Sequence, residues 1–98
     1  MNDNALTHQL RIDKFLFFAR FYKTRSGAGR AISDHGARIT RNGLTRRIDK
    51  PSTTVEIGDI LSFTCGRGVI ALTIMTMPQR RGPPVEAQAC YQLAEGAA

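Results

Sequence analysis

The residues best equipped for chemistry in this chain are its arginines and lysines. Eleven of the fourteen fall between Arg11 and Lys50, where only Asp13, Asp34 and Asp49 oppose them. That block carries +8, the remainder −2 and the whole chain +6. Arginine outnumbers lysine 11 to 3, and its planar guanidinium offers a two-pronged donor to phosphate and a flat face to unpaired bases. Charge gathered in this way suits a polyanion, because neutralising phosphates releases condensed counterions. Structured RNA with loops and bulges fits an arginine-rich face best, and DNA shares the same backbone charge. Catalysis is not expected: the sequence holds no phosphate-binding glycine loop of nucleotide enzymes, no dinucleotide fingerprint, no Cys/His cluster and no closely spaced carboxylate pair. Neither a metal nor a small-molecule cofactor is implied. Cys65 and Cys90 lie far apart and are expected as reduced thiols. His8 and His35 stand alone, His35 where an imidazolium would complement a helix C-terminus.

The elements that position these cations follow from the apolar pattern. With 98 residues, 42% of them hydrophobic, the chain can bury one core and forms one domain with modest tails. Ile12, Phe15, Leu16 and Ala19 recur at the spacing of one buried helical stripe, predicting a first helix between Ile12 and Tyr22. Thr24 is placed to cap a second helix over Arg25 to Asp34, with Ala28, Ala31 and Ile32 inward and Gly36 ending it in a left-handed conformation. The period then changes to two. Ala37 to Arg41, the turn pair Asn42-Gly43 and Leu44 to Arg47 predict a hairpin. Pro51 to Thr54 reads as a loop, and Val55 to Ile57 as a short extended piece. Gly58-Asp59 reads as a turn into a strand over Ile60 to Thr64, and Val69 to Met75 as a buried strand. A basic connector over Gln79 to Pro84 leads to a C-terminal helix from about Pro84 to Ala94.

The expected binding face draws on most of these pieces. Arg11 and Lys14 belong to the first helix, and Lys23, Thr24, Arg25 and Ser26 surround the start of the second. There, free N–H groups, hydroxyls and the helix dipole all favour a phosphate oxygen. Arg30 lies further along the second helix, and Arg38, Arg41 and Asn42 would extend the face through the hairpin. Asp13 is read as orienting its basic neighbours or capping the start of the first helix. Arg46, Arg47 and Lys50 need not join the same face. Phe17 and Phe21 could stack on bases, but docking beneath the C-terminal helix near Tyr91 and Leu93 is the preferred reading.

These residues together resemble the S4 domain, an RNA-binding module of ribosomal proteins, pseudouridine synthases and tyrosyl-tRNA synthetases. The resemblance rests on Arg11-Ile12-Asp13 with Leu16, Thr24-Arg25-Ser26, Gly36 through Asn42-Gly43, and Gly58-Asp59, and covers roughly residues 11 to 64. Arg11 to Arg25 and the tail from Gln79 to Tyr91 are further similar to the bacterial ribosome-associated heat-shock protein family. The resemblance implies an α+β fold, S4-type (αL), with two packed N-terminal helices, a small mostly antiparallel sheet and a short C-terminal helix. It also implies binding to ribosomal RNA of the large subunit, in recycling after heat shock. The division expected is a tail over 1–10, the S4-like domain over 11–78 and an extension over 79–98. The chain is expected to be a cytoplasmic monomer, since neither a signal peptide nor an apolar run long enough to span a membrane is visible. The alternatives are another RNA, such as tRNA or a small RNA, and a protein-interaction module.

Overall fold

Ile12, Phe15, Leu16 and Ala19 are all buried, and the helix they define, α1, spans Ile12–Phe18. The computed structural model describes residues 9–66 and 68–94; His8 with the rest of the tail before Gln9, Arg67 and residues 95–98 lie outside them. Ahead of α1 comes a strand the pattern did not announce, β1 (Gln9–Arg11), which takes up the end of the expected tail and also Arg11, expected on the first helix. It pairs antiparallel with β4 (Thr54–Glu56). This pairing fixes the start of α1, whose first amides would otherwise lack partners. Ile12 N–H donates to the Thr53 carbonyl at 2.7 Å and Asp13 N–H to Pro51 at 3.3 Å. The helix ends earlier than its apolar stripe suggests, because Arg20 turns the chain at φ 70°.

Thr24 caps the second helix, α2 (Arg25–His35), its Oγ1 accepting from Gly27 N–H at 2.9 Å. Ala28, Gly29 and Ile32 form its buried side, while Ala31 is only half-buried. Gly36 follows at φ 73°, ψ −179°, a region essentially reserved for glycine. The hairpin then forms as expected: β2 (Ala37–Arg41) and β3 (Leu44–Ile48) join through Asn42 at φ 54° and Gly43 at φ 79°. Two successive positive-φ residues give the turn whose twist matches its strands.

β5 (Ile60–Cys65), β6 (Gly68–Ile74) and β7 (Tyr91–Leu93) complete a five-stranded antiparallel sheet in the order β3-β2-β5-β6-β7. Its inner face, with Ile39, Leu61, Phe63, Leu72 and Ile74, packs on the two helices around Phe15 and Leu16. Of the expected C-terminal helix only α3 (Pro84–Gln88) forms, and Tyr91–Leu93 is strand instead. Val85 to Cys90 has helical propensity, but β6 had an unpaired edge. Pairing it satisfies backbone groups that a longer helix would have left open.

Gly58 at φ 94° turns the chain into Asp59, which is 1% exposed. Its carboxylate accepts from Arg41 Nε at 2.8 Å, Arg41 Nη2 at 2.7 Å and Glu56 N–H at 2.8 Å. This pair ties the hairpin to the turn before β5. Asp59→Ala is expected to lower unfolding stability in urea titration by about 2–3 kcal/mol, less than a fully enclosed pair would lose because Arg41 reaches solvent.

Candidate nucleic-acid interface

Asp13 organises the face. It is 5% exposed on the first turn of α1, and its two oxygens accept from Arg11 Nε at 3.0 Å and Nη2 at 2.8 Å. The same carboxylate lies 3.9 Å from Arg25 Nε on α2. At Gly29 α2 crosses close over the carboxylate: a Cβ there would sit 3.5 Å from Pro51 and 3.8 Å from Asp13 Oδ2, ordinary contact distances. One buried anion thus draws a cation from the end of β1 and another from the start of α2 to the same edge. Its hydrogen bond and charge push the Arg11 guanidinium pKa up, keeping that group a permanent cation.

Around this centre stand exposed Lys23, Thr24 and Ser26. The Thr24 cap takes the Gly27 amide and leaves the N–H groups of Arg25 and Ser26 outside the helical ladder, where the positive end of the dipole is strongest. Arg30, exposed, lies one turn beyond Ser26. Among the described residues, Lys23 and Arg30 have no carboxylate within ion-pair distance.

The other expected members are placed differently. Lys14 is half-buried and lines a hollow with Leu10, Phe18 and Met77. Arg41 is taken up by Asp59, with Glu56 at 3.5 Å as a further partner. Asn42 is exposed at the turn, where its positive φ accounts for it. Arg38 lies on β2 just past the C-terminal end of α2, opposite Arg47 of β3. The hairpin therefore does not carry one continuous extension of the face. Sequence reasoning undervalued Arg47, although a two-residue turn at Asn42-Gly43 fixes its pairing with Arg38.

The aromatic residues brace the scaffold. Phe21 packs edge-on against Phe63 with centroids 5.2 Å apart and lies 4.8 Å from the Tyr91 ring. Docking near Tyr91 thus holds for Phe21, on a strand rather than a helix, while Leu93 stays 55% exposed. Phe17 lies beneath the Arg81 guanidinium, 5.1 Å from its centroid. Arg20 donates to the Gly82 carbonyl at 2.8 Å and Arg81 to that of Tyr22 at 3.4 Å, so the basic connector is strapped across the end of α1. Burial pushes the Tyr22 phenol up to about 12, and the neutral O–H donates to the Thr64 carbonyl at 2.6 Å. Cys65 and Cys90 are both free thiols. No group of three or more His, Cys, Asp or Glu able to hold a metal occurs among the described residues.

Two helices under a cationic edge, joined through a hairpin to an antiparallel sheet, define an S4-like α+β protein. No protein-family model matches the chain, but its relatives are specific. It is 39% identical over 88 residues to the heat shock protein 15 homolog of Haemophilus influenzae, and 33% identical over 84 residues to heat shock protein 15 of Escherichia coli. The Aeromonas salmonicida homolog is 33% identical over 94 residues. These alignments cover 86 to 96% of the chain and 59 to 67% of the relatives' length. The solved structure of Vibrio cholerae heat shock protein 15 superposes with a TM-score of 0.69 at 32% identity, over 89% of this chain and 83% of that one. The chain belongs to the heat shock protein 15 family. The Vibrio protein is described as trimeric, unlike the monomer expected from the sequence here. No helix among the described residues is long and apolar enough to cross a membrane.

Proposed function

We propose that this chain is a non-catalytic binder of structured RNA, that its target is ribosomal RNA of the large subunit, and that it acts in recycling subunits after heat shock. The observation that carries the reading is the cluster at the start of α2. Arg11 and Arg25 are drawn together by Asp13, and beside them stand Lys23, Ser26 and two helix-end amides free to meet phosphate. Membership in a heat-shock family supports the physiological setting. Nothing in the cluster resembles an acid/base pair or nucleophile within a pocket.

Sedimentation of cell lysate through sucrose gradients at low and high salt, with and without RNase, tests the proposal. Migration with the free large subunit, lost at high salt, is the expected result. If the protein stays at the top of the gradient in every condition, the ribosomal target is wrong. Pull-downs that survive nuclease would then move it to a protein partner.

A further inference from the structure

At the opposite end of α2 from Thr24, the outer face of the sheet carries a second group of cations. Buried Ala37 and Ile39 alternate with exposed Arg38 on β2, so Arg38 points away from the core. The ladder places Arg47 directly opposite on one side and Ser62 on the other. These three, with His35, Thr64 and Val69, border an open cavity of about 330 Å³. Among the described residues, neither Arg38 nor Arg47 has a carboxylate within ion-pair distance.

The backbone is shaped around one of these guanidinium groups. A Cβ at Gly36 would fall 2.8 Å from Arg47 Nη2, 3.0 Å from its Cζ and 3.1 Å from the Ile48 carbonyl oxygen. The missing side chain at Gly36 is therefore what lets Arg47 lie across the end of α2. Two guanidinium groups, an imidazole and two hydroxyls face one concavity with no internal anion to satisfy them. The negative end of the helix dipole opposes an anion here, but it amounts to about half a charge against two permanent cations.

We propose that this cavity is a second phosphate subsite, which holds a phosphodiester of the same RNA whose backbone meets the start of α2. The 11 residues of α2 rise about 16 Å, so its start and its end are far enough apart to meet different phosphates of one strand. The RNA backbone then meets the start of α2 and passes beyond its end onto the outer face of the sheet. Arg38 and Arg47 supply paired donors to the phosphate, and Ser62 and Thr64 supply hydroxyls at the rim. The inference rests on the RNA-binding reading above.

The test is binding of a fluorescent twelve-nucleotide single-stranded RNA to the full chain across a salt series. Four proteins are compared: the unmodified chain, Arg38→Ala/Arg47→Ala, Lys23→Ala/Arg25→Ala and Arg47→Gln. The outer-face variant should bind about ten- to hundredfold more weakly, with a salt slope shallower by about 0.7, the value for one single-strand phosphate contact. Arg47→Gln alone, which removes the charge but keeps a polar side chain, should show a smaller loss in the same direction. If the unmodified chain does not bind the RNA, the RNA-binding reading itself fails. If it binds, and only the Lys23/Arg25 variant is weakened, the second subsite is refuted while the first stands. Inorganic phosphate is titrated in parallel, with the amide resonances of Gly36 and Ser62 followed. Phosphate shifts that vanish in the outer-face variant, with RNA affinity unchanged, would assign the cavity to a free anion and overturn the RNA assignment.

Discussion

Lys23→Ala/Arg25→Ala should lose at least tenfold in affinity for large-subunit ribosomal RNA and leave the melting temperature almost unchanged. Both residues are exposed, and surface substitutions away from buried networks usually shift stability by no more than about 0.5 kcal/mol. Arg25 has a carboxylate neighbour, but at 3.9 Å from Asp13, while Arg11 holds the same oxygen at 2.8 Å. Removing Arg25 therefore leaves Asp13 paired. Two lost phosphate contacts should reduce the slope of log affinity against log salt by about 1.4 to 1.8. The salt slope is the decisive readout, since a change of fold would alter affinity without that proportion. Unchanged affinity and slope in this variant would remove the start of α2 from the interface.

Leu16→Ala should do the reverse. Leu16 is fully buried between α1 and the sheet, beside Phe15 and Ile32. Removing its branched end opens a cavity that the surrounding strands cannot close, at a cost of about 2–5 kcal/mol. Single domains of this size hold only about 5–15 kcal/mol in total. At about 4–8 °C per kcal/mol, the melting temperature should fall by at least about 8 °C. RNA affinity measured well below that midpoint should survive, because every cation of the face remains in place. A loss of less than about 1 kcal/mol would mean that the core does not pass through Leu16.

Local signals wrote much of this fold into the sequence. The stripe from Ile12 to Ala19, the Thr24 cap and the Asn42-Gly43 turn each specify their element within a few residues, and each forms. Two three-residue strands were not legible. β1 needs a partner more than 40 residues away, and β7 replaces helical propensity with the open edge of β6. Neither leaves a periodic trace. The same contrast holds at the site. Asp13 beside Arg11 is a local pair, and its orienting role was readable. Arg41 was assigned to the binding face because its partner Asp59 lies 18 residues on, and only the folded sheet brings them together. Arg38 and Arg47 could have been matched by counting outward from the hairpin turn. The cavity that gathers them with Ser62 and Thr64 depends on β5 lying alongside β2.

The placement of β3 has a consequence for how copies of this protein behave in a crowded solution. As an end strand of the sheet among the described residues, β3 presents an open row of backbone donors and acceptors to any extended chain that drifts past. Its exposed positions include Arg46 and Arg47. Two copies approaching along this strand would bring four guanidinium groups into opposition. The arginines thus discourage strand addition as well as serving any bound ligand. Once they are neutralised, a five-residue strand that opens on Leu44, 77% exposed, is left as a template for aggregation.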